Sequence, residues 1–364
     1  MAGRTAIGLD IGTSVVRAVE LSFGRGGITL ERFGQVVLPE GVIRDGEVVD
    51  PEPVTGALRQ LWAATGFSHK RVVLGVANQR VIVRKLTLPW LERDELRASL
   101  PYHVEQFLPI PLDQALLDFY PIEETADASG VRSLHGLLVA AARESVLANI
   151  TCVQAAGLTT TSVDLTSFAV LRALGKQTKA EVDTEALIDI GARVTNVVIH
   201  SGGVPRFVRI VLMGGQDITD AVAGSTGLSP GEAELLKYKV GAESSTPPPL
   251  PNQWGGPGVA PDPDTLVRQA IGHPVGDFID EIRQSLDYYA VSGAGAPVER
   301  ILVSGGGSRL AGLAERLSAA TRLPVRSGDP MANLRIGNTG LDADQLEFVR
   351  PLAAVPVGLA LGAI

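Results

Sequence analysis

The sequence predicts a two-lobed α/β protein, and three observations carry that expectation. The chain has 364 residues, 45% of them hydrophobic and 20% charged, enough apolar material for more than one core. Stretches of strand-like alternation recur between amphipathic stretches of helical spacing. One strand–glycine–strand pattern also occurs twice: GLDIGTSVVRAVEL from Gly8 and LIDIGARVTNVVIH from Leu187 align without a gap, with Asp10 opposite Asp189 and Gly12 opposite Gly191.

In chain order, TAIGLD, VVRAVEL and ITLERFGQVVL form an antiparallel meander over residues 5–38, broken at Gly24, Gly26 and Gly27. Asp50 caps a helix that begins at Pro51 and runs to residue 64, with Val54, Leu58, Leu61 and Trp62 on one face. The strand RVVLGVA follows at Arg71. Residues 85–161 read as a separate, inserted α/β unit: a helix over 92–106, a strand over 116–122, an acidic loop, the strand LHGLLVAAA and a helix over 143–156. TSVDL resumes strand character, and SFAVLRALG is a helix ending at a C-cap glycine, Gly175. Ser229-Pro230-Gly231-Glu232 has the form of a capping box. The proline- and glycine-rich stretch 241–264 predicts a mobile loop, and an amphipathic helix is expected over 275–289. ERILVSGGG, a helix over 309–321 and the strand LPVR complete the second lobe.

Several function classes drop out. A net charge of −8 argues against a nucleic-acid or anionic-lipid surface. Cys152 is the single cysteine, so one chain can build neither a disulfide nor a thiolate cluster, and a reducing compartment fits. MAGRTAIGLDIG lacks the apolar core of a signal peptide, and the apolar tail 352–364 is too short to span a bilayer, so direct membrane insertion is not expected. The P-loop, dinucleotide, GxSxG and HExxH patterns are absent, and the five histidines have no ligand spacing.

The repeated hairpin carries the chemistry. A glycine turn presents backbone N–H groups that a phosphate can approach without meeting a Cβ, and Thr13 and Ser14 add hydroxyl donors. An aspartate beside a phosphate is suited to holding a hydrated Mg²⁺. Two such hairpins facing each other would clamp a triphosphate. In VSGGGSRLAGLAERL, Gly305, Gly306 and Gly307 follow a strand and precede a helix, a flat surface on which a base and ribose could lie. Either hairpin alone is equally a structural turn, and the glycine run alone is a close-packing turn. The three together favour a nucleotide.

Two phosphate hairpins followed by a glycine-rich adenosine segment resemble the actin, heat-shock chaperone and sugar-kinase superfamily. Within it the chain is similar to the PilM family, cytoplasmic actin-like proteins of type IV pilus assembly, through ELRASLPYHVEQFLPIPLDQALLDFYPI at 95–122, VAARESVLANITCVQAAGL and VDLTSFAVLRALG. The resemblance covers nearly the whole chain apart from the proline-rich loop. It implies an actin-like (ribonuclease H-like) fold with a central nucleotide cleft and four subdomains: IA (1–84, 158–183 and 343–364), IC (85–157), IIA (184–212 and 299–342) and IIB (213–298).

It also implies ATP and Mg²⁺ as ligands. Asp10, Gly12, Thr13 and Ser14 would face Asp189, Gly191, Gly214 and Gly215 across the phosphates, with Asp10 and Asp189 holding Mg²⁺ through water. Gly305, Gly306 and Gly307 would lie under the adenosine, while Glu234 and Lys237 would reach the ribose and base; an exposed intrahelical ion pair is the other reading of those two. Where the family commonly reads Val-Asp-Val-Glu-Pro, this chain has Val163-Asp164-Leu165-Thr166-Ser167. Thr166 replaces the glutamate that would position water, and Asp164 is expected to face away, so ATP binding with weak or negligible hydrolysis follows.

The implied partner is the N-terminal cytoplasmic peptide of a PilN-like membrane protein, gripped between IA and IC. Val104, Phe107 and Leu108 would line that groove, although core packing accounts for them equally. The expected function is nucleotide-controlled assembly at the inner-membrane platform by a cytoplasmic protein held at the membrane through partners, with self-association compatible. An FtsA-like filament former is an alternative. That family ends in an amphipathic membrane helix, whereas this chain ends in VPVGLALGAI. A small-molecule kinase is a second alternative, but no base facing an acceptor is identifiable.

Overall fold

A computed structural model describes residues 4–175, 183–242, 263–293 and 295–363. The stretch expected to form a mobile loop lies outside the described residues from 243 to 262.

Two sheets repeat one plan. In the first, of six strands, the meander Arg4–Ile11, Val15–Gly24 and Gly27–Val37 is extended by Arg71–Val76, which pairs in parallel with Arg4–Ile11. Thr159–Leu165 and Arg335–Ile336 form its edges. In the second, of five strands, Thr184–Ile190, Thr195–Ser201 and Val204–Val211 form the meander, and Arg300–Ser304 pairs in parallel with Thr184–Ile190. Each hairpin strand is thus held on both sides, which fixes where its turn ends. A third, antiparallel sheet joins Val81–Pro89, Arg132–Ala142 and Ala115–Ala126. Its first strand, VIVRKLTLP, was not among the expected elements. Helix Arg93–Val104 covers this sheet, burying Leu96, Leu100 and Val104 against Leu88, Phe119 and Leu138.

Local signals set several element ends. The Asp50 carboxylate accepts from Glu52 N at 3.2 Å, and helix Pro51–Thr65 stops at left-handed Gly66 (φ 65°). The Ser229 box closes reciprocally with Glu232. Other ends depend on packing. Gly175 follows helix Thr166–Leu174 with φ −70°, so handedness does not require glycine there; a Cβ would lie 2.7 Å from Leu171 O. The helix expected over 275–289 runs from Pro263 to Val291 and continues through Pro274. Burial of Val267, Ile271, Val275, Phe278 and Ile282, each worth ~1.5–3 kcal/mol, outweighs the ~3 kcal/mol a mid-helix proline costs.

The apolar C-terminal segment is a core helix, Ala354–Leu361, with Val357, Leu359 and Ala360 fully buried. It touches its neighbours backbone to backbone: a Cβ on Gly8 would sit 2.1 Å from Pro356 O, and one on Gly358 would sit 1.8 Å from Ala169 O. Among the described residues no helix is long and apolar enough to cross a membrane.

Candidate functional site: a cleft between the paired hairpins

The two hairpin turns are built alike. Gly12 N donates to Val15 O at 3.1 Å, and Gly191 N donates to Val194 O at 3.0 Å. Strand register places Arg17 directly across from Asp10 and Asn196 directly across from Asp189. The turns face a cavity of about 320 Å³ lined on one side by Asp10, Gly12, Thr13 and Ser14, and on the other by Asp189, Gly191 and Gly215. Glu234, Lys237, Gly305, Gly306 and Gly307 complete the wall.

Gly214 is the exception among the expected residues, because it does not line this cavity. It lies behind the second turn, where a Cβ would meet Gly191 O at 2.4 Å and Ala192 O at 2.6 Å. That close approach lets the next two amides bond the turn, Gly215 N to Gly191 O at 2.9 Å and Gln216 N to Ala192 O at 2.8 Å. The start of helix Gly215–Thr226 therefore holds the hairpin tip in place.

The cleft floor is charged. Burial pushes the Asp10 carboxyl up to about 6, and the Arg17 guanidinium partly opposes the rise. Asp189 is pushed up to about 7, first by burial and then by the charge of Asp10, against Arg17 and hydrogen bonds from Ser304 and Asn196. Arg17 is in turn pushed down by burial and held up by both aspartates, and its Nε donates to Gln35 Oε1 at 3.3 Å. Two carboxylates that repel each other across a cavity favour a divalent cation between them. No group of three His, Cys, Asp or Glu is placed to hold a metal ion among the described residues. A pair suffices for Mg²⁺, which keeps several waters and completes its shell with phosphate oxygens. The donor set fits that ion.

On the other side of the cavity, Gly305 has φ 82°, and a Cβ there would lie 2.4 Å from Ile190 O, so only glycine fits. Tyr238 Oη donates to Gly306 O at 3.2 Å, and the Arg309 guanidinium stacks 3.8 Å from the Phe348 ring centroid. Tyr238, Arg309, Phe348 and Arg17 line the cleft and were not anticipated. Arg17 was readable from the repeat, since it aligns with Asn196; the other three meet only in the folded chain.

Glu234 and Lys237 do not form an exposed pair. Lys237 is 2% exposed, and its Nζ lies 2.5 Å from Glu234 Oε2, 2.8 Å from Thr219 Oγ1 and 3.0 Å from Gly215 O. Thr166 is buried in the cleft wall, where its hydroxyl and that of Ser167 each donate to Asn196 Oδ1 at 2.8 Å. Asp164 is turned away and pairs with Arg172. Residues two apart on a strand share a face, so alternation does not separate Asp164 from Thr166; the chain enters helix Thr166–Leu174 between them.

Of the residues expected to line a partner groove, Val104 is fully buried in the core under its helix and cannot line an open one. Phe107 and Leu108, at the short turn Glu105–Phe107, are half-buried. Tyr102, on the same helix, is 83% exposed.

Comparison with known proteins places these features. The family described as Type IV pilus assembly protein PilM matches residues 8–245, and the family Cell division protein FtsA matches residues 186–347. The FtsA proteins of Bacillus subtilis (strain 168) and Neisseria meningitidis serogroup B are 23% and 26% identical over 65% and 88% of this chain. The chain spans 58% of the length of the Bacillus protein and 83% of the Neisseria one. A solved PilM-PilN type IV pilus biogenesis complex superposes with a TM-score of 0.83 at 25% identity, covering 98% of both chains. EutJ from Carboxydothermus hydrogenoformans (TM-score 0.57, 16% identity, 99% of this chain and 90% of that one) shares the fold. So does MreB5 of Spiroplasma citri bound to ADP (0.52, 15%, 99% and 96%).

Proposed function

This chain belongs to the PilM family of type IV pilus assembly proteins, and from that premise we propose that it binds ATP with Mg²⁺ in its central cleft. We further propose that the nucleotide controls its grip on the N-terminal cytoplasmic peptide of a PilN-like membrane protein. The observation that carries the nucleotide reading is the pair of glycine hairpins facing one cavity, each beside a buried aspartate. The backbone N–H groups and hydroxyls of Gly12, Thr13 and Ser14 suit phosphate oxygens, as do those of the Gly191 turn. Mg²⁺, when bound, would neutralise phosphate charge, and Asp10 and Asp189 would orient it through water. Gly305, Gly306 and Gly307 would support the adenosine beside Tyr238.

Thr166 leaves no carboxylate at the position expected to activate water, and its hydroxyl is already engaged by Asn196. The reading is therefore an ATP-dependent binding protein with weak or negligible hydrolysis. The likeness to the PilM-PilN complex supports the partner, and half-buried Phe107 and Leu108 with exposed Tyr102 supply an apolar surface at the third sheet. In this reading the protein acts at the cytoplasmic face of the membrane through that partner. We propose the subdomain division given above with IC built on the third sheet, although strand Val81–Pro89 of that sheet starts before residue 85 and Arg335–Ile336, assigned to IIA, pairs with the first sheet.

The test is calorimetric titration with ATP and Mg²⁺, followed by capture on a PilN-derived peptide with and without nucleotide. Binding that needs Mg²⁺ and changes the peptide's affinity is the expected result. Equal capture in both states removes the regulatory part; no ATP binding removes the reading. The FtsA match over 186–347 supports a second, filament-forming reading, which ATP-dependent sedimentation would reveal.

A further inference from the structure

We propose that Arg80 is a positioning residue that fastens the lip of the nucleotide cavity to the base of the third sheet, so that a nucleotide in the cleft is felt at that sheet. The inference rests on the nucleotide reading above and names the route its control would take. The lip is the two-stranded hairpin of Ile43–Arg44 and Glu47–Val48. Its turn residues, Asp45 (φ 52°) and Gly46 (φ 78°), are both left-handed, as a tight two-residue hairpin turn requires. Gly46 lines the cavity, and a Cβ there would lie 2.3 Å from the carbonyl oxygen of Ala77, which lines it too. Gln79 N donates to Asp45 O at 3.3 Å. The turn and residues 77–79 therefore shift together.

Those residues lead straight into the third sheet. The chain enters the sheet at Val81 and leaves it at Ala142, and the two crossings are stitched at their base. Asn78, fully buried, donates from Nδ2 to Ser145 Oγ at 3.2 Å and accepts from Arg80 N at 2.9 Å. Ser145 Oγ donates in turn to Ala142 O at 2.9 Å. The Arg80 side chain carries this joint to the lip. Its Nε and Nη2 donate to Glu47 Oε1 and Oε2 at 2.7 and 3.1 Å, and its Nη1 reaches Glu144 Oε2 at 3.4 Å. Glu47 is 17% exposed and Glu144 84%, so the sheltered, two-pronged pair with Glu47 holds the geometry and the Glu144 contact adds little. A planar guanidinium gripped at two points fixes direction as well as distance. A ligand that orders Gly46 thus orders Glu47 beside it and, through Arg80, the start of strand Val81–Pro89.

Hydrogen–deuterium exchange of the full chain, with and without ATP and Mg²⁺, tests this route. In the wild type the nucleotide should slow exchange roughly threefold or more in residues 43–48 and in strand Val81–Pro89. Glu47→Gln should hold ATP affinity within about threefold and keep the slowing at 43–48, but lose it in Val81–Pro89. Arg80→Lys, which retains the charge without the fork, should do the same and decides the matter if Glu47→Gln fails to fold. Glu144→Gln should behave as the wild type. Wild-type exchange in Val81–Pro89 that ignores ATP, slowing there that survives in both Glu47→Gln and Arg80→Lys, or an equal loss in Glu144→Gln overturns the proposal. A wild-type protein that binds no ATP overturns the nucleotide reading and this inference with it. Slowed exchange in Val81–Pro89 together with ATP-independent capture of a PilN-derived peptide removes only the regulatory part of that reading, and the role of Arg80 stands.

Discussion

Asp10 and Asp189 hold their protons in the folded protein to about pH 6 and 7, against an ordinary carboxyl value of 3.8. A carboxyl raised on folding stabilises the folded state most at low pH, and that contribution is lost as pH rises through the folded value. The ligand-free protein should therefore melt at a higher temperature at pH 5.5 than at pH 7.5, relative to an Asp10→Asn, Asp189→Asn variant. Parallel pH profiles for the two proteins would show that the aspartates do not cause the effect. Mg²⁺-dependent ATP affinity should run the opposite way and weaken as pH falls from 7.5 to 5.5, because a protonated carboxyl is a poor ligand for the cation. Asp10→Ala should weaken Mg²⁺-dependent ATP binding by roughly tenfold or more without lowering the melting temperature of the free protein, since it removes a desolvated charge. Unchanged affinity by titration would make the first hairpin structural only.

At the scale of elements, close backbone packing matters as much as propensity. Gly305 combines φ 82° with a Cβ position 2.4 Å from Ile190 O. Gly305→Ala should lower stability by roughly 2–4 kcal/mol, measured as a shift of the urea midpoint; an unshifted midpoint would mean that the turn relaxes freely. Helix Ala354–Leu361 wedges Leu359 between the first strand and helix Thr166–Leu174. Leu359→Ala should cost roughly 2–5 kcal/mol, and it would do so by loosening the sheet from which the first hairpin projects. A loss below ~1 kcal/mol would show that the site collapses around the cavity.

For the whole molecule, binding across two lobes links nucleotide to stability and to partner. ATP and Mg²⁺ at a hundredfold excess over the dissociation constant should add ~2.7 kcal/mol to unfolding free energy, and a tenfold weaker Asp10→Ala variant at the same concentration should gain only ~1.4 kcal/mol or less. On the partner side, Phe107→Ala should reduce capture of a PilN-derived peptide with little change in melting temperature. Val104→Ala should do the reverse, costing roughly 1–3 kcal/mol, because Val104 is a core residue. Equal loss of capture in both variants would place the peptide elsewhere.

Much of this architecture was legible in the chain because it rests on local rules. The two hairpins, the Asp50 and Ser229 caps and the helix Arg93–Val104 each follow from turn residues or apolar spacing within about 15 residues. Pairing outward from each turn puts Arg17 and Asn196 opposite the aspartates, a register that the repeat carries in its spacing.

By itself, then, the sequence determined that two matching aspartate–glycine hairpins exist and which faces of the flanking segments are apolar. Tertiary structure alone decided that the hairpins share one cavity and that Lys237 is buried. It also seated Arg309 and Phe348, 39 positions apart by their numbers, in one wall, and spared Val104 no exposure. The physical reason is that these properties depend on which distant backbones come into contact, and that is settled at glycines such as Gly8, Gly214 and Gly358 by the space left for a Cβ, a quantity with no local signature.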